Sequence, residues 1–356
     1  MTEIGLTHKK RIEYIDAMRG FTMLLVVFGH VLTHCLRNYS EDSVVYCFFE
    51  RFRMPMFFFI SGYIAYKAAE HWDFSLFRTM LKKKAIVQLI PTFIFFSFWG
   101  IVYNNNLCEI FMKNGTDIFW FCQALFEMFV IYYTVQLISH YTSTKTFNYL
   151  IISIAIATKI LNVNNFGLYD ENDPWFRMTV GYRVLPYFMY FVLGLMAKKY
   201  HKQFIDLMKN DGTKAFFILA YISLFCLNYQ HHDFAGGAII NKLSYSLVLR
   251  VVGVLCVFSF FCNHADYFAQ NNRMSKYMQF VGRRTLDIYL LHYFFLPDLA
   301  VCNEFLSTNT RALLELSFGI GISLMVIIVC LLCSTIIRSS DFLGHYLFGA
   351  KSEKYK

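Results

Sequence analysis

Arg19 and His30 stand eleven residues apart in the apolar run MRGFTMLLVVFGHVLTHCL. Eleven residues is close to three helical turns, so both side chains leave nearly one face of a helix, ~16 Å apart along its axis. Arg19 would then sit at a membrane surface and His30 well inside the bilayer. An ionisable side chain at that depth is costly and by default marks a functional site. Imidazole titrates near pH ~6.5, so it can take a proton and return it near neutrality. In a transfer to a hydroxyl it would act as general base, drawing off the acceptor's proton as the oxygen attacks. Asp16, Arg19, Met23, Val26 and His30 continue one stripe at steps of three and four. The plainer reading of that stripe is an Asp16–Arg19 ion pair at the interface and a hydrogen-bonded packing role for His30.

Four further segments carry polar groups inside apolar runs. In FFERFRMPMFFFISGYIAYK, Arg51 and Arg53 stand at the outer approach, beside Pro55. They read as snorkelling cations or as groups that bind and orient an acceptor. Ser61-Gly62 interrupts the same run, either as a small-residue helix contact or as part of an acyl path. RTMLKKKAIVQLIP places Lys82, Lys83 and Lys84 at the head of another run. Topology alone accounts for such lysines, and phosphate binding accounts for them equally. Glu127, in FWFCQALFEMFVIYY, is the clearest carboxylate inside a span, and His30 or an arginine is its natural partner. GRRTLDIYLLHYFFLP carries Arg283, Arg284, Asp287, Tyr289 and His292, the histidine reading first as a structural hydrogen bonder.

The elements that must hold these groups are membrane helices. The 356 residues are 57% hydrophobic and 16% charged, against about 45–50% and about 25% in soluble domains. The expected fold is all-α, a polytopic transmembrane bundle of about ten spans: 17–36, 46–68, 85–103, 118–138, 147–163, 182–198, 214–230, 244–263, 281–302 and 313–337. One domain covers 1–356, with a helical core over 10–337 and a cytoplasmic tail over 338–356. Lys and Arg concentrate in alternate loops while the intervening ones carry acids such as Glu41, Asp42, Asp170 and Asp173. That places both termini in the cytoplasm. The first apolar segment is long enough to span and has no small-residue cleavage site, so it reads as a retained helix. The net charge of +9 is spread along these loops rather than gathered into a stripe, which argues against nucleic acid as a partner. No internal repeat is visible. Most of the 10 cysteines lie within apolar runs and read as packing residues, with Cys35, Cys47 and Cys108 near outer ends where pairing is open. Neither Cys330-x-x-Cys333 nor His231-His232-Asp233 has further spaced ligands, so no metal is expected.

RIEYIDAMRGFTMLLVVFGH, followed by FRMPMFFFISGY, resembles acyltransferase family 3, the integral-membrane O-acyltransferases of bacteria. KKKAIVQLIP resembles the family's basic approach to span three, with lysines where arginines are common and Gln88 in place of a usual basic residue. WFCQALF, FMYFVLGLMAKK and GRRTLDIYLLHYFF are similar to later segments, so the likeness runs from residue 11 to about 297. The compact opening is similar to stand-alone fucose 4-O-acetylase-like proteins. The resemblance implies transfer of an acetyl group from cytoplasmic acetyl-CoA to a hydroxyl of a sugar, glycan or glycolipid at the bacterial inner membrane. His30 and Arg19 match the family's essential histidine and arginine. The basic rim of Arg19 and Lys82 to Lys84, with Ser61 and Gly62 on the path, would hold the donor. Arg51 and Arg53 would meet the acceptor, and Glu127 would orient His30. Direct transfer and an acyl-histidine intermediate both remain open. The competing class is a transporter or flippase of an envelope precursor, which also uses polar midplane residues and broken helices.

Overall fold

The computed structural model describes residues 12–35, 43–67, 72–103, 118–163, 170, 173, 181–230, 239–270, 272–299, 301–302 and 312–350. Every regular element among them is helical. The helices are α1 (Glu13–His30), α2 (Val44–Ala65), α3 (Phe74–Tyr103), α4 (Trp120–Tyr141), α5 (Thr144–Val163), α6 (Gly181–Lys199) and α7 (His201–Lys209). They continue with α8 (Asp211–Gln230), α9 (Ile239–Asn263), α10 (Ala265–Ala269), α11 (Arg273–Arg283), α12 (Thr285–Leu291), α13 (Ala312–Ile337) and α14 (Asp341–Phe348). A π turn, Val31–Cys35, prolongs α1, and a 3₁₀ turn, His292–Phe295, follows α12. Cys108 and the His231–Asp233 loop lie outside the described residues. Cys35 is a free thiol.

Among the described residues, five helices are long and apolar enough to cross a membrane: α1 with its π turn, α3, α4, α5 and α13. Their burial differs in a way that orders the bundle. In α1 72% of the apolar window is buried, against 22–44% in the other four. The first helix is thus the central post, packed by α2, α9, α11 and α13. The others turn large apolar side chains outward, among them Phe98 and Ile101 on α3 and Met325 and Leu332 on α13. An interior helix bearing charge surrounded by helices bearing exposed hydrocarbon is the arrangement expected in lipid.

Two glycine pairs set the closest approaches. A Cβ on Gly62 of α2 would lie 2.0 Å from the Phe191 carbonyl oxygen of α6, and one on Gly194 would lie 2.0 Å from the Phe59 oxygen. Gly20 of α1 and Gly282 of α11 interlock in the same reciprocal way, with added Cβ atoms 2.1 and 1.8 Å from the Met278 and Asp16 oxygens. Gly62 is therefore a helix contact and does not line the internal cavity, whereas Ser61 beside it does. Backbone cannot yield as a side-chain tip can, so Gly62→Ala should cost about 1–3 kcal/mol. Thermal unfolding in detergent checks this, with Ser61→Ala expected to melt like the parent.

The expected ninth span, 281–302, is not one helix. The chain breaks at Arg284 (φ −109°, ψ 18°), restarts as α12, tightens to a 3₁₀ turn at His292 and becomes extended at Leu296. Pro297 explains the last step, because the residue before a proline is steered out of the helical region. The 338–356 segment is also more than a tail, since it holds α14, capped by Ser340 and by the left-handed Gly349. Phe348 of α14 is buried and stacks on Phe95 of α3 at 6.0 Å.

Candidate active site

A cavity of about 540 Å³ runs through the bundle between α1, α2, α3, α4, α6 and α12. Arg19, Met23, Val26 and His30 all line it, so the stripe read along α1 is one of its walls. α2 runs antiparallel to α1: Lys67, just beyond its end, shares the surroundings of Lys84 with Arg19, while Arg53, midway along α2, lies beside Gly29. The cavity therefore has an Arg19 end and an Arg53 end.

At the Arg19 end, Arg19 Nη2 donates to Thr285 Oγ1 at 2.7 Å, tying α1 to α12. Lys84 reaches in from α3, its Nζ 3.6 Å from the centre of the Phe129 ring. Arg19 and Lys67 are its cationic neighbours. Among the described lining residues the sole carboxylate is Glu50, at the opposite end. Three cations thus meet at one mouth. Lys82 and Lys83 do not join them: both are exposed and neither lines the cavity. One and two residues back from Lys84, they project ~100° and ~200° round the helix.

At the Arg53 end, the Arg53 guanidinium occupies the space that a Cβ on Gly29 would take, 1.2 Å from Nη1, and Nη2 donates to Tyr46 Oη at 3.1 Å. Arg183 lies over the Trp120 ring at 5.0 Å, and Trp120 stacks on Tyr187 at 5.5 Å. Glu50 approaches Arg51 Nε at 3.7 Å and Arg250 Nη2 at 4.0 Å. Arg51 itself does not line the cavity. Two positions from Arg53, it leaves the far side of α2, so only one of the paired arginines faces the site.

His30 stands toward the Arg53 end, and its half-buried ring faces the cavity. Tyr293 Oη lies 3.3 Å from both its Nδ1 and its Nε2, so the hydroxyl sits across the ring. The rings of His34 and His292 flank it, with centroids 5.5 and 5.1 Å away. The break in the ninth segment is what brings His292 and Tyr293 here together. Tyr289 Oη, which accepts the Phe121 N–H at 3.0 Å, fixes α4 against α12 at the same level.

Glu127 is not part of this group. The cavity face of α4 is made by Cys122, Leu125, Phe129 and Tyr133. Two residues beyond Leu125, Glu127 points ~200° away, and its carboxyl bonds the Gln123 side chain one turn back. The structure thus does not bring Glu127 to the cavity wall that carries His30. Reasoning on the sequence passed over Glu50, Lys67, Arg183, Thr285 and Tyr293. Glu50 and Arg183 carried a usable signal, a charge inside an apolar run; Thr285 and Tyr293 carried none.

The arrangement joins a cationic mouth, a recessed imidazole and an arginine–carboxylate–aromatic chamber. No curated protein and no solved structure matches the chain. A family model described as an acyltransferase domain matches residues 12–335, which takes in every side chain of the cavity. With nearly the whole length matched, this helical membrane protein belongs to acyltransferase family 3.

Proposed function

We propose that the chain moves an acetyl group from cytoplasmic acetyl-CoA to a hydroxyl of a sugar or envelope glycan, within the bacterial inner membrane. The observation that carries this reading is that Arg19 and Lys84 share one continuous cavity with His30 and Arg53. About ten spans with both termini inside would turn the Arg19 end to the cytoplasm, where the donor is. CoA bears phosphates at one end and its thioester at the tip of a long arm. The cations of the mouth suit the phosphates, and the ~16 Å of helical rise from Arg19 to His30 suits the arm. The Arg53 end suits the acceptor: Trp120 and Tyr187 offer apolar ring faces, while Glu50 and Arg183 offer hydrogen-bonding groups to hydroxyls.

In the direct route, the acceptor oxygen attacks the thioester carbonyl carbon while His30 takes the hydroxyl proton. The C–S bond breaks as the C–O bond completes, and the imidazolium returns the proton to the departing thiolate. Tyr293 steadies the ring throughout. The test is purified protein in liposomes with labelled acetyl-CoA and envelope glycan fractions. Label in a base-labile ester of the glycan supports the reading, and donor left intact with every fraction defeats it. Label retained on protein in the absence of acceptor would replace direct transfer by an acyl-imidazole.

The cations make separable predictions. Lys84→Ala and Arg19→Ala should each raise the KM for acetyl-CoA about tenfold, ~1.4 kcal/mol per contact. Lys82→Ala and Lys83→Ala, facing away, should stay within about twofold of the parent. A donor titration measures all four.

A further inference from the structure

We propose that His292 is the positioning residue that sets the tautomer of His30, accepting the imidazole N–H so that the opposite nitrogen faces the cavity as base. This rests on the reading of His30 as the general base. His292 is fully buried and does not line the cavity that His30 faces. Its Nδ1 lies 3.0 Å from the Ile288 oxygen and 2.8 Å from the Tyr289 oxygen. Carbonyl oxygens only accept, so Nδ1 carries the hydrogen and Nε2 of the neutral ring is a bare lone pair. That Nε2 is buried without a hydrogen-bond partner. A buried acceptor left unmatched is costly and calls for an explanation.

His30 supplies one. Its two nitrogens are equidistant from the Tyr293 hydroxyl, at 3.3 Å each, so Tyr293 does not select which of them is protonated. A base needs that selection, since only the unprotonated nitrogen can take the acceptor's proton. The His292 ring is in contact, centroid 5.1 Å away and inclined 37°. Rotation of His30 about its Cβ–Cγ bond brings an N–H toward the waiting lone pair, a tightening of the kind that accompanies substrate binding. Once His30 is protonated by the acceptor, the same lone pair holds the new imidazolium. The backbone explains why this histidine can serve. At the start of the 3₁₀ turn, its ring is held by bonds to the carbonyls three and four residues back, which fix its orientation.

The experiment compares His292→Phe, which keeps a ring and loses both nitrogens, with His292→Gln, whose amide oxygen restores an acceptor near Nε2. His292→Leu replaces the phenylalanine variant if that protein does not purify as a single species. In the Phe variant kcat should fall about 10²-fold, with KM for acetyl-CoA and direct acetyl-CoA binding unchanged within about twofold. The Gln variant should recover to within about tenfold of the parent. A His292→Phe protein with parental kcat overturns the proposal. So does a Gln variant as inactive as Phe, or a joint loss of turnover and donor binding. A dead His30→Ala beside a normal His292→Phe would remove this inference alone, whereas an active His30→Ala would remove the reading beneath it.

Discussion

His30→Ala should lower acyl transfer by at least about 10³-fold, the range expected when a general base is deleted. Donor binding should persist, because the cations of the mouth lie about three turns away along α1. Folding should persist too. The ring already faces the cavity, so its removal enlarges a space that exists rather than opening a void in packed core. Labelled acetyl transfer in liposomes, together with acetyl-CoA binding and thermal unfolding on the same preparation, separates the three quantities. Product at the parental rate from a well-folded His30→Ala protein would end the assignment of the imidazole as base.

Asp287→Ala should be the most destabilising single change of a charged residue in the described structure. Asp287 is fully buried. Its Oδ2 and Oδ1 accept from Arg338 Nε and Nη2, each at 2.7 Å. Arg284 Nη1 donates to Oδ2 at 3.3 Å, and Ser334 adds a hydroxyl bond. One carboxylate thus joins α12 to α13 and to the turn that leads into α14. Removing it leaves two guanidinia facing each other, and breaking such a pair costs about 3–5 kcal/mol. The low end applies here, because the two arginine side chains keep 21% and 23% of their surface exposed. Thermal unfolding in detergent should show the loss. Asp287→Ala combined with Arg338→Met should recover part of it, since the second change removes a cation that the first left uncompensated. A melting temperature unchanged by Asp287→Ala would show that the cluster contributes nothing. Activity should fall with stability in this variant, because Thr285, two residues earlier on the same short helix, receives the Arg19 guanidinium.

Nine of the ten segments expected to span coincide with helices, and five helices among the described residues are long and apolar enough to cross a membrane. The agreement in helix position has a simple cause: continuous apolar composition is a property local to the segment. The exception, 281–302, breaks at Arg284 and turns extended at Leu296, before Pro297. Charged residues were located along the chain with the same ease, yet their directions were not. Lys84 faces the cavity while Lys82 and Lys83 face out. Arg53 faces it while Arg51 turns away, and Leu125 faces it while Glu127 does not.

By itself, the sequence determined a helical membrane protein and the pairing of Arg19 with His30 on one stripe, because both follow from composition and from the fixed 3.6-residue turn. Tertiary structure alone decided which member of each charged cluster enters the site. Neighbouring residues differ by ~100° round a helix, and only the packed neighbours define which direction is inward. It also decided the company of the imidazole. Tyr293 and His292 reach His30 across more than 260 positions of chain, through glycine-to-backbone contact of α1 with α11 and a helix broken just where the two side chains are needed. Contacts made by folding between distant segments leave no periodic trace in either one.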